Sequence, residues 1–118
     1  MAEDVAEAAP PSPQAMLAEA VGTIIGVRSV AVEKGEVVAI ARADSIVEVT
    51  TALRDDPRFA FEQMMDLCGV DWPDRPHRFE VVYNLLSVSL NQRVRVIVTT
   101  DEATPVPSVH GVWPVATW

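Results

Sequence analysis

The spacing of apolar side chains changes period several times along the chain, and each change predicts an element. Ser12-Pro13 opens a helical stretch, because a serine hydroxyl suits an N-cap and the missing proline N–H costs nothing at the first helical position. Met16 or Leu17, Ala20 and Val21 then recur at helical spacing, and Gly22 marks the stop. Residues 27–33 and 36–41 are β-branched runs separated by Lys34-Gly35, a two-residue connection that predicts a tight hairpin. Over 44–55 the signals compete. Ile46, Val49 and Leu53 share one helical face and Ser45-Ile46-Val47-Glu48 has the capping-box pattern, against a β-branched run at 46–51. The cap and the Leu53-Arg54 ending favour helix.

After Pro57, Phe61, Met64, Met65 and Cys68 fall at i, i+3, i+4 and i+7, which predicts a short helix ended by Gly69. A turn-rich linker at 70–77 leads to the strongest strand, 78–86, where Phe79, Val81, Tyr83 and Leu85 alternate onto one face. In 93–99, Val94, Val96 and Val98 take one face and Arg93 and Arg95 the other, so the two runs make a long hairpin with one dry side. The tail reads as an extended linker with Ser108 capping a last turn toward Trp113 and Trp118. The resulting order, α-β-β-α-α-β-β-α, predicts an α+β fold: a largely antiparallel sheet of two hairpins with short helices packed on one face. Residues 1–11, with three acids, no base and Pro10-Pro11, read as a disordered leader, leaving 12–118 as a single domain.

Composition narrows the function. At 118 residues and 49% hydrophobic, the chain is long enough for one core and no more. Its net charge of −8 argues against a nucleic-acid partner, whose footprint would be a surplus of Lys and Arg. The lone Cys68 excludes an intramolecular disulfide and, beside only His77 and His110, makes a zinc or iron–sulfur site a poor expectation. Met1-Ala2-Glu3-Asp4 lacks the positive charge of a secretory signal, and the uncharged stretch 103–118 is broken by Pro105, Pro107 and Pro114. Membrane association is therefore expected only through a partner.

Few residues carry chemistry. Cys68 with His77 could form a thiol–base pair across the linker, but Cys68 also completes an apolar face, where inert cysteines sit. Asp66, Asp71, Asp74 and His77 gather oxygen ligands and an imidazole around one turn, with Arg75 and Arg78 as counter-charges that favour solvated ion pairs over a cation site. Phosphate loops, nucleophile elbows and zinc-protease motifs are absent from the sequence. Arg93 and Arg95, with Arg78 on the facing strand, make a small basic patch that either meets an acidic partner or simply pairs across strands with Glu80 or faces water. Val106, Val109, Val112, Trp113, Val115 and Trp118 either pack on the sheet or form a binding face.

The run Cys68-Gly69-Val70-Asp71-Trp72-Pro73-Asp74-Arg75-Pro76-His77-Arg78-Phe79-Glu80-Val81-Val82-Tyr83-Asn84-Leu85-Leu86-Ser87 resembles the central segment of the C-subunit family of NADH-quinone oxidoreductase, a small peripheral-arm component of respiratory complex I. Asn91-Gln92-Arg93-Val94-Arg95-Val96, then Thr104-Pro105-Val106-Pro107-Ser108-Val109 and Val112-Trp113-Pro114, continue the resemblance in order and spacing, as does Leu53-Arg54-Asp55-Asp56-Pro57 upstream. Thr117 stands where the family usually has Asn, and the family's acidic-Arg-acidic run is expected beyond Trp118. The chain is thus expected to be a fragment of such a protein, or one piece of a split one, with an incomplete sheet and an exposed edge.

The resemblance implies a non-catalytic structural subunit, with no catalytic, cofactor-binding or metal-ligating residue of its own. NADH, FMN, iron–sulfur clusters and quinone are expected on partner subunits, foremost the large quinone-site subunit. The implied location is the cytoplasmic side of the inner membrane, or the matrix side in an organelle, held there through the complex. Arg78, Arg93, Arg95, Trp113 and Trp118 are the candidate contacts to other subunits. The competing expectations are the equivalent subunit of a membrane-bound hydrogenase, a small Cys68/His77 thiol enzyme, and a free-standing binding domain.

Overall fold

The computed structural model describes residues 12–76, 79–100, 106–109 and 111–113; the leader read in 1–11 lies outside them. Helix α1 spans Pro13–Val21, capped as the sequence predicts: Ser12 Oγ accepts a 3.1 Å bond from the Ala15 amide, and Gly22 ends the helix. Strands β1 (Val27–Glu33) and β2 (Glu36–Ala41) form the expected hairpin. Its turn places Lys34 at φ 52° and Gly35 at φ 80°, so both turn residues are left-handed and match the twist of the strands.

A short 3-10 turn, Ala43–Ser45, precedes helix α2 at Ile46–Asp55. The capping box does not form. The 3-10 turn puts Ser45 at φ −113°, ψ 6°, and its hydroxyl turns to Asp44 instead of to a helical amide. The helix itself follows the apolar spacing, burying Ile46, Val49 and Leu53.

The segment expected as a third helix is instead strand β3, Gln63–Asp71, paired antiparallel with β4, Phe79–Ser87. The register slips between Met64 and Asp66, so one extra residue interrupts the two-residue alternation. That slip puts Met64 and Leu67 toward the core at a three-residue spacing, which imitates helical periodicity. Strand β5, Gln92–Thr100, completes the meander.

The sheet order is β1-β2-β5-β4-β3, with every neighbouring pair antiparallel except the parallel pair β2–β5. The observed order is therefore α-β-β-α-β-β-β, an α+β fold with one more strand and one fewer helix than the periodicity predicts up to that point. The outer strands β1 and β3 both carry register shifts, which blunt a sheet edge.

One face of the sheet is sealed. Val37, Ala39, Tyr83, Leu85, Val94, Val96 and Val98 point into a core shared with Leu17 and Val21 of α1 and Ile46, Val49 and Leu53 of α2. Phe59 and Phe61, on the α2–β3 connection, are fully buried in it. The tail takes the first of its two alternatives: Val109, Val112 and Trp113 are buried in the same core. Both the Val112 and Trp113 amides bond to the Val109 carbonyl, closing a single turn. Trp113 Nε1 donates to the Phe61 carbonyl at 3.2 Å, and Arg54 of α2 donates to the Val112 carbonyl at 2.8 Å.

Candidate interaction surface

Because side chains alternate across a strand, the register fixes what the second face carries. One cross-strand row runs Ser29, Ile40, Ile97, Val82, Cys68; the next runs Ala31, Val38, Arg95, Asn84, Asp66. Beyond the second row Leu86 stands opposite Arg93, and beyond the first Val70 stands opposite Glu80 and Glu80 opposite Thr99. Val38, Ile40, Val82, Leu86 and Ile97 belong to none of the core packing on the helical face. Among the described residues no helix lies on this side, so these apolar side chains form an open patch on the sheet. Val38 is 7% exposed and Ile40, Val82, Leu86 and Ile97 are half-buried, all outside the core cluster.

A polar band crosses the patch. Arg95 Nε donates to Asn84 Oδ1 at 3.1 Å, and Asn84 Nδ2 reaches Asp66 Oδ2 at 3.4 Å. On its other side the Arg95 guanidinium lies 3.4 Å from a Glu36 carboxylate oxygen. The band thus spans four strands and partners its own charges. Beside it a cleft of about 180 Å³ is lined by Glu36, Met65, Asp66, Asn84, Arg93 and Arg95.

The candidate residues separate cleanly. Arg93 and Arg95 stand together on the open face, as their alternation with Val94 and Val96 predicts. Neither pairs with Glu80, which is held instead by Arg75 at 2.8 Å. Trp113 is a core residue, 3% exposed with its indole N–H satisfied, and so is removed from the candidate contacts by its packing. Arg78, His77, Val115 and Trp118 lie outside the described residues. Cys68 is half-buried on the open face opposite Val82, on a strand and not on the expected helix. No three Asp, Glu, His or Cys side chains come together as a metal cage among the described residues.

Sequence reasoning missed the apolar half of this surface and its polar band. A signal was present in the unbroken runs Val37-Val38-Ala39-Ile40-Ala41 and Leu85-Leu86, since a strand with one wet face would alternate. The exposed Trp72 was missed as well; it lies at the β3–β4 connection, 41% exposed, with Arg75 stacked 4.3 Å above its ring centre.

Residues 39–118 match the family described as the respiratory-chain NADH dehydrogenase 30 Kd subunit. A protein of Hyphomonas neptunium, named as the C subunit of NADH-quinone oxidoreductase, is 51% identical over 92 residues, covering 78% of this chain and 46% of that relative. Its counterpart in Caulobacter vibrioides is 53% identical over 93 residues (79% and 47%), and that in Paramagnetospirillum magneticum 57% over 84 residues (71% and 42%). The chain therefore spans about half the length of the relatives it matches. With the match covering residues 39–118, from within β2 onward, this chain belongs to the family of the 30 Kd subunit of respiratory-chain NADH dehydrogenase.

Proposed function

We propose that this chain is a non-catalytic structural part of the peripheral arm of an NADH-quinone oxidoreductase. The observation that carries the reading is the division of its sheet: one face is sealed by its own helices and tail, and the other offers apolar side chains around a charged band. Such a face gives a protein shape and charge complementarity toward a partner. NADH, flavin, iron–sulfur clusters and quinone belong to partner subunits in this reading, foremost the large quinone-site subunit. A single cysteine agrees with that division, since a cluster is held by several thiolates. The function of the domain is to keep redox-carrying neighbours in register, so that electron transfer between them stays short-range.

No helix among the described residues is long and apolar enough to cross a membrane. The proposed location is the cytoplasmic side of the bacterial inner membrane, reached through the complex. Deletion of the gene tests the reading. Membranes should lose NADH:quinone activity, regain it on complementation, and regain it equally with Cys68→Ser. Loss of turnover in Cys68→Ser with the complex fully assembled, or substrate turnover by the purified chain alone, overturns it.

A further inference from the structure

We propose that the open face of the sheet receives an amphipathic helix of a neighbouring subunit, lying along β4 and β5 with its apolar side on Ile97, Val82 and Leu86 and a carboxylate on Arg93. The inference rests on the structural-subunit reading above and adds to it the face, the element and the chemistry of the partner.

Three observations converge on this occupant. First, β2 and β4 carry apolar side chains on both faces, the pattern of strands that are covered on both sides, yet only one face is covered by the described elements. Helices are the elements that cover sheets in α+β and α/β proteins, and they do so through one apolar stripe. Second, the surface has the right length. From Arg93 to Thr99 along β5 the strand advances roughly 20 Å, the length of roughly 13 helical residues.

Third, the charges are incomplete at one end. Arg42, Arg54, Arg58 and Arg75 each hold a carboxylate of their own chain, at 2.9, 2.7, 2.9 and 2.8 Å. Arg95 is occupied by Asn84 and Glu36, and Asp66 by Asn84. Arg28, Lys34 and Arg93 make no side-chain bond among the described residues, and of these three only Arg93 lines the 180 Å³ cleft on the open face. Glu36 and Asp66 line the same cleft beside their own partners, so an incoming acidic group is best placed over Arg93. A carboxylate side chain entering there completes the charge pattern, while the helix passes over the Arg95–Asn84 band, whose polar groups already hold partners within the sheet.

The test uses the full chain in its own cells, with a photo-reactive side chain at Ile97 and a control at Ile25, which is 92% exposed on the loop before β1. In detergent-solubilised NADH-oxidising complex, the Ile97 probe should cross-link to one neighbouring protein, in a helical segment bearing Asp or Glu beside an apolar stripe; the Ile25 probe should not reach that segment. Arg93→Glu should lower the cross-link yield roughly tenfold, and Arg93→Lys should retain most of it. Chain recovered in the active complex with no Ile97 cross-link overturns the docking proposal and leaves the structural-subunit reading standing. So does a cross-link to a second copy, to a segment of this chain, or to a basic or strand segment. Equal yields for Arg93→Glu and wild type overturn the charge pairing. A chain absent from the NADH-oxidising complex overturns both readings together.

Discussion

Gly26 couples the N-terminal hairpin to helix α2, and its replacement by alanine separates backbone strain from steric exclusion. The residue sits at φ +102°, and its carbonyl accepts a 2.9 Å bond from the Arg42 amide, pinning the open end of the hairpin. A Cβ added there would meet Ser45 Cβ at 2.6 Å and Val49 Cγ2 at 3.0 Å, well inside the usual carbon–carbon separation of about 3.5–4.0 Å. Forcing a left-handed conformation on alanine costs about 1–2 kcal/mol, and overpacking adds about 1–3 kcal/mol. Against these, the reduced freedom of the unfolded chain returns about 0.4–1 kcal/mol.

Gly26→Ala should therefore destabilise by about 2–4 kcal/mol, a large share of the total stability of a small domain. Gly35→Ala is the matched control. Its φ is +80° but nothing lies within 4 Å of the added carbon, so strain acts alone and the loss should be about 1 kcal/mol. Urea unfolding followed by tryptophan fluorescence measures both, read as midpoint shifts at constant slope. Adding Ser45→Gly to Gly26→Ala removes the two Ser45 contacts, at 2.6 and 3.1 Å, and should recover about 1–2 kcal/mol. Equal losses for the two alanine variants, or no recovery in the double variant, would refute the steric account.

Other outcomes follow from the same contacts. Trp113→Phe keeps an aromatic ring and removes the donor to the buried Phe61 carbonyl, so it should cost about 1–3 kcal/mol in the same urea assay. Tyr83 is the sole tyrosine, and burial pushes its phenol from the ordinary 10.0 up to about 12. Because the folded value lies above the unfolded one, its contribution is complete below pH 10 and is lost as pH rises from there toward about 12. Phenolate absorbance should titrate near 12 in the folded chain and near 10 in urea, and Tyr83→Phe should flatten the alkaline fall in stability. Asp44, Asp55, Asp56 and Glu62 are held below their ordinary carboxyl values by hydrogen bonds from Arg42, Arg54, Arg58 and Ser89, in that order. Depressed carboxyls stabilise above their unfolded values of 3.8 for Asp and 4.5 for Glu, and that stability drains as pH falls through the folded ones. All four are solvent-screened, so acid melting curves should show a shallow decline that salt weakens further.

Much of this architecture could be read from residue order because local and tertiary preferences agree. Ser12-Pro13, Lys34-Gly35 and the alternation of Val94, Val96 and Val98 each specify a cap, a turn or a face by themselves. Strand β3 was illegible for a definite reason. Its register slip at Met64/Asp66 replaces a period of two by a spacing of three, and only pairing with β4 resolves the ambiguity. Ser45 misled in the opposite direction, since a capping-box sequence requires the extended backbone that the preceding 3-10 turn denies it. At the candidate surface, Arg93 and Arg95 were legible because charges on a strand must face water or a partner. Ile97, Val82 and Val38 were not, because a run of apolar residues does not say which face its own chain covers.

The single parallel contact, β2 against β5, has a consequence for how the molecule comes to be made. Val37 cannot find Val94 until α2, β3 and β4 have all been synthesised between them, so the earliest hairpin leaves the ribosome with one strand unpaired. Throughout that interval a sticky β-branched border is available to other nascent chains, until β5 emerges and pairs with it. Biogenesis therefore depends on how quickly translation reaches Thr100, and a pause engineered just upstream of Gln92 should divert newly made protein into aggregates.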